Sequence, residues 1–585
     1  MEIIIITRLG CVVSSPSYDV LIIGGGPAGS TAASLLKKYN PGLRVLVLER
    51  ETFPREHVGE SQLPPISKIL DEMGCWDKVE AANFPIKVGA TYRWGTSDDL
   101  WDFEFLPLDT FKDEARPAKY EGQRVQTAFQ VDRAIYDTIL LDHAAELGAE
   151  VRQNTKVAKI HKDGDRVTGV ELSDGSRIEA KYYLDASGNS GILRRAMGIA
   201  TEAPTKLRNV AMWDYWDNAE WSVSIGTGGT RVLVLSIDVG WIWFIPLGPT
   251  RTSIGFICPA DHYKKMEMTT EELYLSALEK QPLVKELTAK ATRDGKVQAT
   301  KDWSFLADRL VGENWFLIGE SCGFADPILA AGMTLAHGGA REAAYTILEL
   351  ERGELDGEAL KSHYCETQRT RITQHIRFAD FWYSANKQFT DLQEYTTEIA
   401  KDAGLRLDPQ QAFQWLGTGG FTGDVAGQAG LGGLDLGGVK QITGMFTDGT
   451  VGWSLSKYNK FKLNLKRARE DVVFSYKDGR IETQKCWKRG QKTLLDSGLY
   501  ALLIQVLQQH QDIATIAQAL MQYLTKTKAA ATPELGLQLA LQSLEVMLLE
   551  GWVTGKLDKK KPRLNLNSPL EGQMIHKNKD LADKL

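Results

Sequence analysis

The residues Gly24-Gly-Gly26-Pro27-Ala28-Gly29, with the carboxylate of Glu49 twenty positions after Gly29, are spaced for holding a dinucleotide. Gly24 permits a tight turn, Gly26 lets backbone N–H groups approach a pyrophosphate, and Gly29 lets the following helix sit close on a sheet. Glu49 can accept hydrogen bonds from ribose hydroxyls. A second grouping is Trp241-Ile-Trp243-Phe-Ile-Pro246. Alternation places Trp241, Trp243 and Ile245 on one face of a strand that Pro246 ends. The same alternation is expected of an aromatic strand in a sheet core.

The glycines carry meaning only if the elements around them are right. Tyr18 to Ile23 reads as a buried apolar strand, an amphipathic helix follows through Leu36, and a second strand, Arg44 to Leu48, ends in Glu49. That series predicts an α/β, Rossmann-like unit. A chain of 585 residues with 43% apolar composition can bury a large core and suggests two or three domains. The net charge of −6 gives no sequence-wide basic footprint, so no nucleic acid partner is expected. Six cysteines (Cys11, Cys75, Cys258, Cys322, Cys365 and Cys486) are scattered, without a CxxC pair or metal-ligand spacing, which predicts a reducing cytoplasmic location and no metal. The apolar run Ile3 to Ile6 is too short for a signal core or a span, so no membrane association is expected.

Three further segments resemble the FAD-holding elements of flavin monooxygenases. Gln130-Val-Asp-Arg133, opening a helix from Ala134 to Leu147, resembles their arginine-bearing segment. Leu184-Asp185-Ala-Ser-Gly188 resembles their DxxG element, and Phe316-Leu-Ile-Gly319-Glu320 their Gly-Asp element, with glutamate in place of aspartate. Other segments resemble the flavin-dependent halogenases. Gly240 to Pro246 reproduces their WxWxIP signature, and Gly59-Glu-Ser61-Gln-Leu-Pro64 resembles their GES segment. Phe84-Pro-Ile-Lys87-Val-Gly89 resembles the lysine-bearing segment of halogenases acting on phenols and pyrroles. Phe324-Ala-Asp-Pro327-Ile-Leu-Ala330-Ala331-Gly332 resembles FxxPxxSxG, with Ala330 where serine is usual. The resemblance spans Asp19 to Ala385.

The resemblance implies an α/β fold: a Rossmann-like FAD-binding (GR2/PHBH-like) domain with an inserted β-sheet substrate domain. It places FAD on Gly24, Gly26, Pro27, Ala28, Gly29, Glu49, Arg50, Arg133, Asp185, Gly319, Glu320, Pro327 and Gly332. Reduced FAD, supplied by a separate NAD(P)H-dependent flavin reductase, and O₂ would oxidise chloride or bromide held by backbone amides at Ala331 and Gly332. The hypohalous acid formed would pass Trp241 and Trp243, whose indoles keep the organic substrate away from the flavin. At Lys87 it would be hydrogen-bonded or, if desolvation lowers the amine pKa, converted to a chloramine. Either species halogenates an electron-rich arene. A phenol or pyrrole is favoured over free tryptophan, free or tethered to a carrier protein or peptide, and Ala330 leaves the halide preference open. The aromatic stretches Tyr92 to Phe105 and Trp213 to Trp221 are expected to line or cover the substrate cavity, although core packing explains them equally well. Two alternatives stand beside this: an FAD-dependent monooxygenase or dehydrogenase on the same scaffold, and a catalytically degenerate FAD-binding protein, motivated by Glu320 and Ala330.

The domain plan follows composition. Residues 1–17 form a lead-in and 18–395 the flavin module, with substrate-side insertions at about 84–130 and 205–305. Residues 396–450 form a helical and glycine-rich connection, with Gly417 to Gly444 a linker or lid. Residues 451–565 hold a hairpin turning at Lys477-Asp-Gly479 and three amphipathic helices, Leu494 to Leu507, Ile513 to Leu524 and Pro533 to Glu550, in a winged-helix-like domain. Residues 566–585 form a tail.

Overall fold

Apolar side chains on both faces of Tyr18–Ile23 suit it to the middle of a covered parallel sheet. In the computed structural model, which describes residues 18–94, 100–106, 111–205, 207–226, 228–301, 304–384, 453–490, 492–527, 533–564, 575–578 and 581, it occupies that place. The order across five parallel strands is Trp315–Leu317, Ala180–Asp185, Tyr18–Ile23, Val45–Leu48, Glu150–Arg152. Helix Pro27–Tyr39 packs against helices Arg133–Glu146 and Ala331–Arg352 over this sheet. Gly29 is held to its identity by packing: a Cβ there would lie 1.9 Å from the Gly24 carbonyl oxygen. The lead-in 1–17 and the segment Gly417 to Gly444 lie outside the described residues.

A second, larger sheet draws the strands of its main order from three stretches of chain. Its order runs Thr292–Arg293, Asn209–Asp217, Arg251–Pro259, Gly240–Pro246, Gly229–Ile237, Ile86–Arg93, Trp101–Glu104 and Ile575–Lys577. Alternation sorts its faces. Ile242, Phe244, Ile254 and Phe256 pack with helices Thr270–Glu279 and Pro282–Leu287, leaving Trp241, Trp243 and Ile245 on the opposite face. The strand Ile86–Arg93 breaks its own alternation, because a bulge shifts the register between Thr230 opposite Lys87 and Arg231 opposite Gly89. The extra residue, Val88, packs with Ile86 and Leu106, while Lys87 turns to the face that carries Ala90 and Tyr92. Gly89 permits the pairing, since a Cβ there would come within 2.1 Å of the Phe103 carbonyl oxygen.

Beyond the flavin module, strands Arg469–Lys477 and Arg480–Arg489 form a hairpin whose turn residues Asp478 and Gly479 both have positive φ, 47° and 74°. The hairpin docks on helix Ala331–Arg352: Arg352 donates to the Gly479 carbonyl at 2.8 Å, and the Ile481 amide donates to Glu349 at 2.9 Å. Helices Gly498–Gln509, Ile513–Thr527 and Pro533–Leu549 enclose a separate core with Trp552, and Lys460–Leu463 pairs antiparallel with Val553–Lys556. Within the expected tail, Ile575–Lys577 forms the edge strand beside Trp101–Glu104. Asn578 donates to both Asp102 carboxylate oxygens at 3.1 and 2.9 Å, and Leu581 is buried in the substrate-sheet core. Among the described residues, no helix is long and apolar enough to cross a membrane.

Candidate active site

The two sheets face each other across a cavity of about 900 Å³. On its first wall Gly24, Gly26, Pro27 and Ala28 present the start of helix Pro27–Tyr39. A Cβ on Gly26 would meet only the Arg55 guanidinium, at 3.4 Å, so the helix amides open into the cavity. Glu49 and Arg50 line the same end. Glu49 accepts from the Gly25 amide at 2.7 Å and the Glu51 amide at 2.9 Å, bracing the glycine turn it was expected to complement. Arg133 also lines the cavity, with its guanidinium fixed by Asp137 at 2.7 and 2.9 Å and by the Val58 carbonyl at 3.0 Å.

Gly319, Glu320, Pro327 and Gly332 continue this wall. Burial raises the Glu320 carboxyl above its ordinary pKa, opposed by the charge of Arg133. Ala330 caps helix Ala331–Arg352 in the left-handed region, at φ 54°, and a Cβ on Gly332 would press on the Phe324 ring at 2.8 Å. Two expected cofactor residues stand apart. Gly29 faces the glycine turn. Asp185 is spent inside the fold, accepting from the amides of Leu193 and Arg194 at 2.9 and 3.1 Å and from the Ser187 hydroxyl at 2.5 Å. A strand-end acid can cap the next helix instead of holding a ligand, and here it does. On the expected halide segment, Ala330 and Gly332 line the cavity while Ala331 faces the core.

The opposite wall is the substrate sheet. Trp241 and Trp243 line it side by side, ring centroids 6.0 Å apart. Each indole N–H is fixed: Trp241 donates to the Tyr383 hydroxyl at 2.7 Å and Trp243 to the Ser253 hydroxyl at 3.1 Å. Tyr383 in turn donates to Asp326 at 3.2 Å, tying the indole to the segment before Pro327. Trp243 lies flat over Gly255, where a Cβ would come within 2.1 Å of the ring. Of the two aromatic stretches expected here, Tyr92, Phe103, Phe105 and Trp213 line the cavity.

Lys87 lies in the same cavity, 2% exposed. Among the described residues its ammonium has no carboxylate partner, and it sits 5.5 Å from the centre of the Phe105 ring. Burial alone pushes its pKa down to about 7. Glu60, in the Gly59-Glu-Ser61 segment, was given no role from sequence, yet it lines the cavity and accepts from Tyr215 at 3.1 Å. Burial raises its carboxyl to about 7. Its signal was its place between two residues of a recognised segment.

Residues 17–379 match the family model described as the FAD binding domain. Over 412 residues the chain is 32% identical to the 1H-pyrrole-2-carbonyl-[peptidyl-carrier protein] chlorinase of Pseudomonas fluorescens, covering 68% of this chain and 90% of that protein. The chain belongs to the flavin-dependent halogenases. This halogenase is also 32% identical over 356 residues to the tryptophan 2-halogenase of Chondromyces crocatus, covering 60% of its own length and 64% of the relative's. Its fold is shared with CmlS, a flavin-dependent halogenase, at a TM-score of 0.69 and 23% identity over 96% of this chain and 99% of the other. The flavin-dependent brominase Bmp2 matches at 0.55 and 26% identity, covering 66% and 92%. The halogenase is therefore an FAD-dependent enzyme that uses a halide. The open glycine cradle, the Glu49 turn and the Arg133 wall fit FAD.

Proposed function

We propose that Lys87 is the halogen-transfer residue and that the arene is a pyrrole or phenol borne on a carrier protein. One observation carries the assignment: a single cavity is lined by the glycine cradle, the two indoles and a buried lysine without an acid partner among the described residues. Bound reduced FAD, supplied by a flavin reductase, provides with O₂ the oxidising equivalents that turn halide into hypohalous acid. The chain's residues do the rest. Amides at Ala331, Gly332 and Met333, free at the start of a 22-residue helix, hold the halide on the flavin side. Trp241 and Trp243 admit a small oxidant and exclude an arene. The neutral Lys87 amine attacks the halogen of hypohalous acid, releasing water and leaving an N–X bond. The arene then takes the halogen, and its displaced proton returns the lysine to the free amine.

Support for the carrier comes from two relatives, a 1H-pyrrole-2-carbonyl-[peptidyl-carrier protein] chlorinase and a brominase of the same substrate. The three C-terminal helices and the two-stranded sheet formed by Lys460–Leu463 and Val553–Lys556 support a winged-helix-like domain as the docking unit. The test supplies purified enzyme, a flavin reductase, chloride or bromide, and pyrrole-2-carbonyl on a peptidyl carrier protein beside free phenols and pyrroles. Mass spectrometry should show a halogen isotope pattern that disappears in Lys87→Ala, with hypohalite scavengers present. Undiminished halogenation by Lys87→Ala overturns the lysine assignment.

A further inference from the structure

The C-terminal domain is charged unlike the rest of the chain. Residues 453–564 hold nineteen lysines and arginines against ten acids, within a protein of net charge −6. The excess has a defined place. In the two-stranded sheet, Phe461 and Val553 point into the core, so the register of Lys460 opposite Lys556 and Lys462 opposite Thr554 puts three lysines on one outward face. Like charges set directly across a strand pair oppose its formation. Asp558, 3.0 Å from Lys460, answers one of them. Lys462, Lys556, Lys559 and Lys560 are exposed and have no acid partner among the described residues. The charge is placed where folding does not need it.

We infer that this lysine face and the basic segment after it, Lys556 to Arg563, form the docking surface for an acidic carrier domain that delivers the arene. The inference rests on the carrier-borne substrate proposed above. Charge complementarity selects a compact acidic partner. A nucleic acid is disfavoured by where the charge is absent: helix Gly498–Gln509 has no basic residue, Ile513–Thr527 has only Lys526, and Pro533–Leu549 carries Glu534 and Glu545 with no base. No helix of the domain is equipped to enter a groove. The surface is also joined to the site, because the next described element along the chain, Ile575–Lys577, pairs with the strand beside the lysine strand.

The test uses the full-length triple variant Lys462→Glu, Lys556→Glu, Lys560→Glu, with the corresponding glutamine variant as a milder partner. Affinity for a peptidyl carrier protein loaded with pyrrole-2-carbonyl is measured by titration over a range of salt. FAD binding and far-ultraviolet circular dichroism monitor the fold. The expected result is carrier binding by the wild type that weakens with salt, is at least tenfold weaker in the glutamate variant and intermediate in the glutamine variant, with FAD binding unchanged. Equal affinity of wild type and glutamate variant overturns the inference, as does binding of duplex DNA through these lysines with no carrier binding. The two proposals separate cleanly. Halogenation of the carrier-borne pyrrole with kcat/KM indifferent to the triple substitution removes the surface and keeps the function. Lysine-dependent carrier binding without halogenation of any arene keeps the surface and removes the function.

Discussion

Lys87 combines a desolvated amine, which a surface lysine lacks, with the absence of any acid partner among the described residues to hold its proton. With its pKa near 7, the neutral amine is the major form just above neutrality. Halogenation through an N–X bond should therefore show kcat/KM rising with pH through about 7 and then levelling. A profile falling over that range would mean that the ammonium acts as a hydrogen-bond donor instead. Stability runs with a linked sign. The unfolded chain keeps this proton up to the ordinary lysine value of 10.5, the folded chain only to about 7, so the unfolded state binds more protons between them. Lys87→Met should abolish turnover and raise the melting temperature by a few degrees below pH 7, and the gap should narrow as pH rises toward 10.5. Ala330 offers a second test, at φ 54°. Glycine there relieves roughly 1–2 kcal/mol of left-handed strain and adds roughly 0.4–1 kcal/mol of unfolded-state entropy. Denaturant titration of Ala330→Gly should show a net gain of roughly 0.5–1 kcal/mol.

At the scale of the element, the Val88 bulge decides where the lysine points. Inserting one residue between Thr230 and Arg231 gives Val88 a partner of its own, restores strict alternation and should turn Lys87 out of the cavity to the face that Leu106 packs. The expected product folds, binds FAD as judged by its visible spectrum, and has lost at least 100-fold in halogenation; wild-type activity in it would mean that the bulge does not aim the residue. The same bulge marks the limit of sequence reasoning. Simple alternation groups Lys87 with Gly89 and Thr91, away from Tyr92, and only the resemblance of the segment picked it out. The glycine turn, the Asp478-Gly479 hairpin and the three C-terminal helices were legible because local backbone chemistry specifies each of them. The Trp241–Tyr383 and Glu60–Tyr215 hydrogen bonds were not, since their partners lie 142 and 155 positions apart and only the fold brings them together. Asp185 shows the reverse error, a residue in the expected place whose oxygens the next helix takes.

The whole molecule is held together by returns of the chain onto earlier parts. The hairpin binds helix Ala331–Arg352 from behind, and the segment Ile575–Lys577 closes the substrate sheet two strands from Lys87. Asn578 adds two hydrogen bonds to a buried carboxylate that also pairs with Arg231 at 2.7 Å. Ending the chain at residue 574 leaves that charge cluster short of its donor, at a cost of about 1.5–3 kcal/mol, and uncovers Leu581's place in the core. Calorimetry should show a lower melting temperature, and turnover should fall while FAD binding persists. An unchanged melting temperature would show that the last strand is ornamental. The separation between Asp102 and Asn578 is 476 positions, and it sets an order in time. On the ribosome the lysine strand and its neighbour emerge early and must wait, with one sheet edge open, until residue 578 has been made. An open edge is a template for pairing with other chains, and the segment that covers this one is the last of the sheet's described strands to be made.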